Sequence, residues 1–469
     1  MESDWELEFD PFVMEKLALY QVPGMAVGFA EQGRPLYQRG YGLRDLAAGA
    51  AVTPRTVFGV GSITKSLTCL GVMQLAEAGK LSLSDPVARH LEELRLPAPP
   101  TWPQPSIHHL MTHTSGLPPL PTLMQSLMRS AADDPAVEQE EIPPGLQPID
   151  TVHELMAAIA ASEVPLLGPP GQSFSYSNEG YALLGAVIER VSGLGYAEYV
   201  RRHILVPCGM EQSTFADPTL AGLPEVTELY AAKPGDDGQE VVFAAPGWWQ
   251  APAMVSAGFL RSTVPDLLRY LEIYLKGGRA ASGRVLSERG IERMLEPYVP
   301  VTPGRFYGYG WVIWPDFYGR KLVEHSGGLK GIGAEVGLVP GAGLAGAALA
   351  NLAGAPSGHV VLAGLGHALG EPVRVYRQPY PVHTCPSGLL DGYVGAYHSG
   401  EGEDFRVAVE GDGLSCERKK RRHPLRPVGE DAFTLQERDD ETYLRFLRRE
   451  SASVYAAVFG SRIVYRQGD

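Results

Sequence analysis

The chain has 469 residues, of which 44% are hydrophobic and 20% charged, a balance that builds a folded core and excludes intrinsic disorder. Its length exceeds one ordinary core and predicts a large domain followed by a smaller one. A formal net charge of −14 repels phosphate backbones, so no nucleic-acid partner is expected.

The N-terminal stretch Met1-Glu2-Ser3-Asp4-Trp5 carries neither a basic region nor an apolar one, and no run of 18 apolar residues comes after it. The expectation is a cytoplasmic protein with no membrane partner. Residues 8–20 read as a helix with Phe12, Val13, Leu17 and Tyr20 on one face. Val27–Ala30 and Leu36–Tyr41 read as a hairpin turning at Glu31-Gln32-Gly33-Arg34. Ser62 to Ala78 reads as a buried helix closed by Gly79. Residues 117–150, rich in proline and acid, read as a loop or lid between helical pieces.

Two further helices are predicted, from about Asn178 to Ser192 and from about Thr263 to Leu275. Strands return at Gly310–Trp314, Lys321–His325, Glu335–Val339 and Ala345–Leu349. Strands first, helices in the middle and strands last predict an α/β (α+β) fold. Its antiparallel sheet, built from both chain ends, is flanked by helices and accompanied by a helical subdomain. After residue 376 comes a proline-rich link, Gln378-Pro379-Tyr380-Pro381, then short alternating runs from Tyr393–Tyr397 to Arg462–Tyr465. Residues 1–376 are therefore expected to form one domain and 385–469 a small antiparallel β-barrel-like domain. Cys69, Cys208, Cys385 and Cys416 lie far apart without CxxC spacing, which predicts free thiols and no zinc site.

The chemistry concentrates in short segments. In Gly61-Ser62-Ile63-Thr64-Lys65 the serine opens a helix, where free N–H groups and the dipole favour developing negative charge. Lys65 at i+3 shares its face and can reach the serine oxygen, and burial would leave its amine neutral and basic. Tyr176-Ser177-Asn178 suits a turn that presents a phenol for proton relay and an amide for the lysine and a substrate carbonyl. His325-Ser326-Gly327-Gly328 ends a strand in glycines that let a substrate lie along its edge. The Gly328 and Ser62 N–H groups could there form an oxyanion hole. Each piece alone is weak, since capping serines and glycine turns are common. Their order along one chain is specific.

The surrounding residues carry a resemblance. His109-Leu110-Met111-Thr112-His113-Thr114-Ser115-Gly116-Leu117-Pro118, the block from Pro170-Gly171 to Leu184-Gly185, Gly258–Thr263 and Tyr309-Gly310-Trp311 resemble signatures of the class C β-lactamase-like, penicillin-binding serine hydrolases. The resemblance spans roughly residues 10 to 370 and implies a β-lactamase-like fold. It implies Ser62 as the acylated nucleophile, Lys65 as proton acceptor and Tyr176 as general acid/base. Asn178, His325, Gly327 and Gly328 would meet the substrate. No cofactor and no metal are implied, and His109 and His113, although spaced i, i+4, are structural in that block.

His325 stands where class C β-lactamases have the lysine of Lys-Thr-Gly. That makes the chain look more like the D-aminopeptidase, DD-peptidase and family VIII esterase branch, and puts efficient β-lactam hydrolysis in doubt. The expected activity is a peptidase or amidase of small peptides, with either D- or L-configuration open. The alternatives are a carboxylesterase or weak β-lactamase, an acyltransferase on the same scaffold, or a non-catalytic binding protein. The C-terminal domain resembles the lipocalin-like domains appended to D-aminopeptidases. It is expected to restrict entry of a small-molecule or peptide substrate or to build a homo-oligomer. Because all three motifs precede the link, a chain ending near Arg377 is expected to keep the acylation chemistry. The basic run Glu417 to His423 reads as a solvated hairpin.

Overall fold

A computed structural model of the protein describes residues 4–137, 145–235, 240–375, 380–449, 451 and 453–468. Its centre is a nine-stranded antiparallel sheet. Strands β1 (Gly24–Glu31), β2 (Arg34–Asp45) and β3 (Ala50–Ala51) come from the start of the chain. Strands β4 (Val299–Thr302), β5 (Arg305–Tyr307), β6 (Val312–Phe317), β7 (Arg320–Leu329), β8 (Ile332–Val339) and β9 (Leu344–Ala350) come from later. The order is β4-β5-β6-β7-β8-β9-β1-β2-β3. The two ends of the domain therefore meet at the β1–β9 pair, with Met25 opposite Ala350.

Helices cover both faces of the central strands, so β8 and β9 are buried along their whole length. Alternation assigns the faces: Ala26, Ala345 and Ala347 join the core beneath helix α4 (Val264–Leu275), while Met25, Val27, Phe29 and Ala348 join that beneath helix α5 (Ser357–Ala368). The helices announced by their caps fall where sequence puts them. Helix α3 (Asn178–Ser192) starts with the Ser177 hydroxyl accepting the Gly180 N–H and stops at left-handed Gly193. Thr263 accepts the Asp266 N–H at the start of α4. The first helix, α1, covers Asp10–Tyr20 after a short π-turn at Trp5–Phe9.

Helix α5 escaped the sequence reading because Gly358, Gly364 and Gly366 dilute its helical signal. The packing explains the glycine at 364: a Cβ there would collide with the Phe29 ring. Val360, Val361 and Leu365 are fully buried, each side chain stabilising the fold by about 1.5–3 kcal/mol, which offsets the poor propensity.

Between the sheet strands lie the helical pieces, among them α2 (Thr64–Glu77), preceded by a 3-10 turn over Gly61–Ile63. The 117–150 segment contains a helix at Thr122–Ala131; residues 138–144 lie outside the described residues. The link is described only from Tyr380 onward, residues 376–379 being outside that set.

Eight antiparallel strands then close a barrel, from β10 (Gly395–His398) through β11 (Phe405–Glu410), β12 (Gly413–Arg418), β13 (Arg421–Gly429), β14 (Ala432–Glu437), β15 (Asp440–Arg448) and β16 (Val454–Phe459) to β17 (Arg462–Arg466). Tyr397 pairs with Arg466 to seal it, and Tyr397, Phe405, Phe433, Phe446 and Phe459 fill its interior. The basic run forms the β12–β13 turn, but Arg418 is not a solvated member of it. Its half-buried guanidinium pairs with Glu403 at 2.8 Å and Glu437 at 3.3 Å.

Among the described residues the barrel docks on the sheet domain through several of its turns. Asp439 takes Lys16 and Tyr20 of α1, and Asp440 meets His359 Nε2 of α5 at 3.0 Å. On another side Ala456, Val458 and Ile463 pack against Leu167. Among the described residues no helix is long and apolar enough to cross a membrane. Cys69, Cys208 and Cys416 are buried free thiols and Cys385 a partly exposed one.

The Phe29 contact gives a test of the packing: Gly364→Ala is expected to cost about 1–3 kcal/mol through overpacking. Urea denaturation reads it as a lowered midpoint, and an unchanged midpoint would show that Phe29 moves aside freely.

Candidate active site

Ser62 lies in the 3-10 turn that runs into α2, and Lys65 one turn on is fully buried. Gly61 adopts φ 52°, a left-handed conformation natural to glycine, and turns the serine toward β7. The fit there is close. A Cβ on Gly327 would collide with the Val60 carbonyl oxygen, and one on Gly61 would stand 2.7 Å from the Gly328 nitrogen. Side-chain-free residues on both segments thus bring the Ser62 and Gly328 N–H groups to the same edge, where both can donate to an oxyanion.

The lysine amine is surrounded by acceptors. Its Nζ lies 2.6 Å from the Ala257 carbonyl oxygen, 2.8 Å from Asn178 Oδ1 and 3.2 Å from Ser62 Oγ. A neutral amine has two N–H donors and one lone pair. The two carbonyl oxygens take both donors, and the lone pair is left facing the serine hydroxyl, which can donate to it. Burial, reinforced by the Arg462 cation, pushes the Lys65 pKa well below its ordinary value, against the pull of Glu401 and Glu179.

Tyr176 complements the lysine. Burial raises its phenol pKa, while a hydrogen bond with Ser62 and the Arg462 cation hold part of the rise back. Burial thus favours the neutral amine of Lys65 and the neutral phenol of Tyr176, the forms that can take a proton and give one. The Lys65 Nζ stands 4.7 Å from the Tyr176 ring centroid, and both groups hydrogen-bond Ser62.

The loop bearing Tyr176 is fixed by His113, itself left-handed at φ 56°. Its imidazole stacks on Tyr176 with centroids 4.2 Å apart. Its Nδ1 accepts the Ser177 N–H at 3.0 Å and its carbonyl the Ser175 N–H at 3.0 Å. His109 has a separate duty, its Nδ1 accepting the Ser106 N–H in the capping box of helix Ile107–Met111. The i, i+4 pair is thus divided between a cap and a ring stack.

His325 is buried, and both ring nitrogens are occupied. Nε2 meets the Tyr307 hydroxyl at 3.0 Å and Nδ1 the Ser326 carbonyl oxygen at 2.6 Å. Burial pushes its pKa down to about 4, the Ser326 carbonyl opposing the shift. A histidine is already mostly neutral at pH 7, and burial removes the remaining charged fraction, so the ring offers no fixed charge to a substrate carboxylate.

Two groups of the site lie in the barrel and went unread in the sequence. Glu401, in the β10–β11 turn, accepts the Asn178 Nδ2 donor at 3.2 Å and pairs with Arg462. Arg462 opens β17, its guanidinium carbon 5.0 Å from the Tyr176 ring centroid. Backbone bonds flank it: Tyr176 N–H donates to the Ser461 carbonyl at 2.9 Å, and Ile463 N–H donates to Ser175 Oγ at 3.2 Å. Arg462 is one of 40 basic residues and no local pattern singles it out. The two-residue turn Gly460-Ser461 signals a hairpin but not what its neighbour touches.

Residues 9–370 match the family described as Beta-lactamase. The octameric penicillin-binding protein homologue from Pyrococcus abyssi superposes with a TM-score of 0.70 at 30% identity, covering 99% of this chain and all of that one. Penicillin-binding protein 4 of Amycolatopsis lactamdurans is 28% identical over 358 residues, 74% of this chain and 85% of that protein. Protein flp of Staphylococcus aureus strain MW2 is 24% identical over 356 residues, 75% of this chain. The match spans 64% of that relative's length, so this chain represents less than two thirds of it.

The state of His325 predicts a pH response. A ring that charges only as pH falls toward 4 leaves the ratio of efficiencies, carboxylate-bearing over neutral substrate, flat between about pH 5.5 and 8, whereas an ordinary histidine would titrate near ~6.5. Parallel pH profiles of kcat/KM for one substrate of each kind make the comparison. A step in the ratio near neutrality would show that His325 is charged and faces the substrate.

Proposed function

The chain belongs to the β-lactamase family, and we propose that it is a serine hydrolase acylated on Ser62 whose substrates are small peptides or amides, D-configured residues included. The observation that carries this reading is the buried lysine nitrogen, set between the Ala257 carbonyl oxygen, the Asn178 amide oxygen and the Ser62 hydroxyl. Residues 1–376 do the chemistry in this reading, and 385–469 form a second unit docked beside it.

In acylation the Ser62 hydroxyl proton passes to Lys65 as the serine oxygen bonds the substrate carbonyl carbon. The carbonyl π electrons move onto oxygen, where the Ser62 and Gly328 N–H groups stabilise the charge. When the carbonyl re-forms, the bond to the leaving nitrogen breaks and that nitrogen takes the Tyr176 proton. The phenol regains one from Lys65, which restores both groups. Water, activated by the same pair, then releases the acid from Ser62. No cofactor enters any step.

Substrate class rests on His325. With a neutral, doubly bonded imidazole where Lys-Thr-Gly enzymes carry a permanent cation, penicillin-like anions gain little at this edge, which favours peptide amides. The octameric state of the P. abyssi homologue supports a homo-oligomer for this chain.

A serine-directed fluorophosphonate is expected to label Ser62 alone, and Ser62→Ala to abolish both labelling and turnover with the fold intact by circular dichroism. Lys65→Ala and Tyr176→Phe should each slow acylation by ~10²–10⁴-fold. A panel of D- and L-amino-acid anilides, short peptides, esters and a chromogenic β-lactam identifies the substrate. Turnover of esters alone would replace the amidase reading by a carboxylesterase, and absence of labelling would leave a binding protein.

A further inference from the structure

The acid–base machinery proposed above is assembled entirely in the sheet domain, yet its outer side is closed by the barrel. The contact is specific in register. The β16–β17 hairpin turns in two residues, Phe459 pairing with Arg462, and Gly460 takes the left-handed φ of 57° that this turn requires. The two backbone bonds from Tyr176 and Ile463 lie on either side of Arg462 and fix its side chain over the phenol. Glu401 is placed as closely. Its turn packs on the sheet domain so that a Cβ on Gly400 would lie 2.6 Å from the Pro119 carbonyl oxygen and 3.1 Å from Leu120 Cα.

We propose that Arg462 and Glu401 are positioning residues for acylation at Ser62, Glu401 by orienting the Asn178 amide and Arg462 by setting the charge felt by Lys65 and Tyr176. The inference rests on the acyl-enzyme reading given above. An Asn side chain can present either oxygen or nitrogen to a neighbour. With its NH₂ group claimed by Glu401 at 3.2 Å, its oxygen faces Lys65 at 2.8 Å. The amine then keeps its lone pair for Ser62. Without that restraint a flipped amide would put a donor against the lysine and hold the lone pair instead.

Charge acts alongside orientation. Arg462 keeps a quarter of its side-chain exposure while Glu401 keeps 7%. Burial works against the guanidinium charge, and Glu401 more than restores it, so Arg462 stays cationic. A second cation beside Lys65 opposes protonation of the amine. The same cation favours loss of the Tyr176 proton, narrowing the gap between the two partners in proton exchange. Glu401 acts oppositely on both groups.

The remaining neighbours of Lys65 are weaker levers. Glu179 is held by Thr122 and Ser177 hydroxyls, and burial raises its pKa. His113 and His325 are buried and pushed toward neutrality. Burial pushes Cys69 up to about 12, so it stays a thiol, and the Tyr181 phenol is driven upward as well.

The experiment uses the full chain and an uncharged substrate, 4-nitrophenyl acetate, so that no substrate carboxylate interferes. Profiles of kcat/KM from pH 5 to 10 are compared for the wild type, Arg462→Met, Arg462→Lys and Glu401→Gln. The acidic limb reports protonation of Lys65 in the free enzyme. Arg462→Met removes a like charge, so the limb moves to higher pH, with a loss of ~10²-fold in acylation rate of the size a misplaced catalytic group produces. Arg462→Lys restores the limb. Glu401→Gln removes an opposite charge and moves the limb to lower pH.

Shifts of opposite sign cannot come from general loosening of the fold, and they decide the matter even where one variant melts early. An unmoved limb in folded Arg462→Met and Glu401→Gln proteins overturns the proposal. So does an effect confined to KM for carboxylate substrates, which would make Arg462 a substrate-binding residue. Fluorophosphonate labelling of wild-type Ser62, run beside the profiles, separates the two levels: no label overturns the acyl-enzyme reading itself, whereas label with unmoved limbs overturns only the role of the barrel.

Discussion

The site depends on keeping one lysine out of water. An ammonium buried without a carboxylate beside it is expensive, so the group gives up its proton instead. Solvent around Lys65 is replaced by a set of oxygens, two carbonyl and one hydroxyl, with no anion among the described residues in direct contact. Each comes from a different part of the chain: the short helix Val255–Gly258, the start of α3 and the turn before α2. The arrangement of helices around α2 can be understood as the means of bringing those three oxygens to one nitrogen.

The sheet supplies the other boundary. Its last central strands are buried on both faces, and β7 ends in glycines because the Gly61–Ser62 turn passes against it with no room for a Cβ. The strand edge and the serine turn are thereby held at close approach, backbone against backbone. His325, one strand position before Ser326, turns inward to Tyr307. It contributes order to the sheet more readily than charge to the cleft.

The barrel changes the meaning of the domain boundary. By composition and turn pattern the segment after the link is separate, and its aromatic interior is its own. Yet the Asp439–Asp440 turn locks onto α1 and α5, and the β16–β17 hairpin hydrogen-bonds the tyrosine loop. A partly exposed cation and a nearly buried anion meet at this interface as a pair, Arg462 with Glu401, and loss of either would leave the other without its partner there. Removing the barrel would expose Tyr176 and Asn178 on one side and withdraw both charges at once. Docking and chemistry are therefore linked here.

Features that arise from local chemistry are legible in the order of the residues. Ser62 and Lys65 share a helix face by spacing. Caps fixed α3 and α4 to within a residue, and period-two alternation marked most strands of the barrel. Such signals act between residues a few positions apart, so one chain carries them complete. Helix α5 was hidden because its glycines answer to Phe29, 335 residues before Gly364 (364 − 29). That His325 is buried and bonded to Tyr307 depended on how the strands pack. The presence of Arg462 and Glu401 at Tyr176 and Asn178 needed a docked second domain. Those outcomes depend on which surfaces meet and how much water they exclude, and only the tertiary structure decides that.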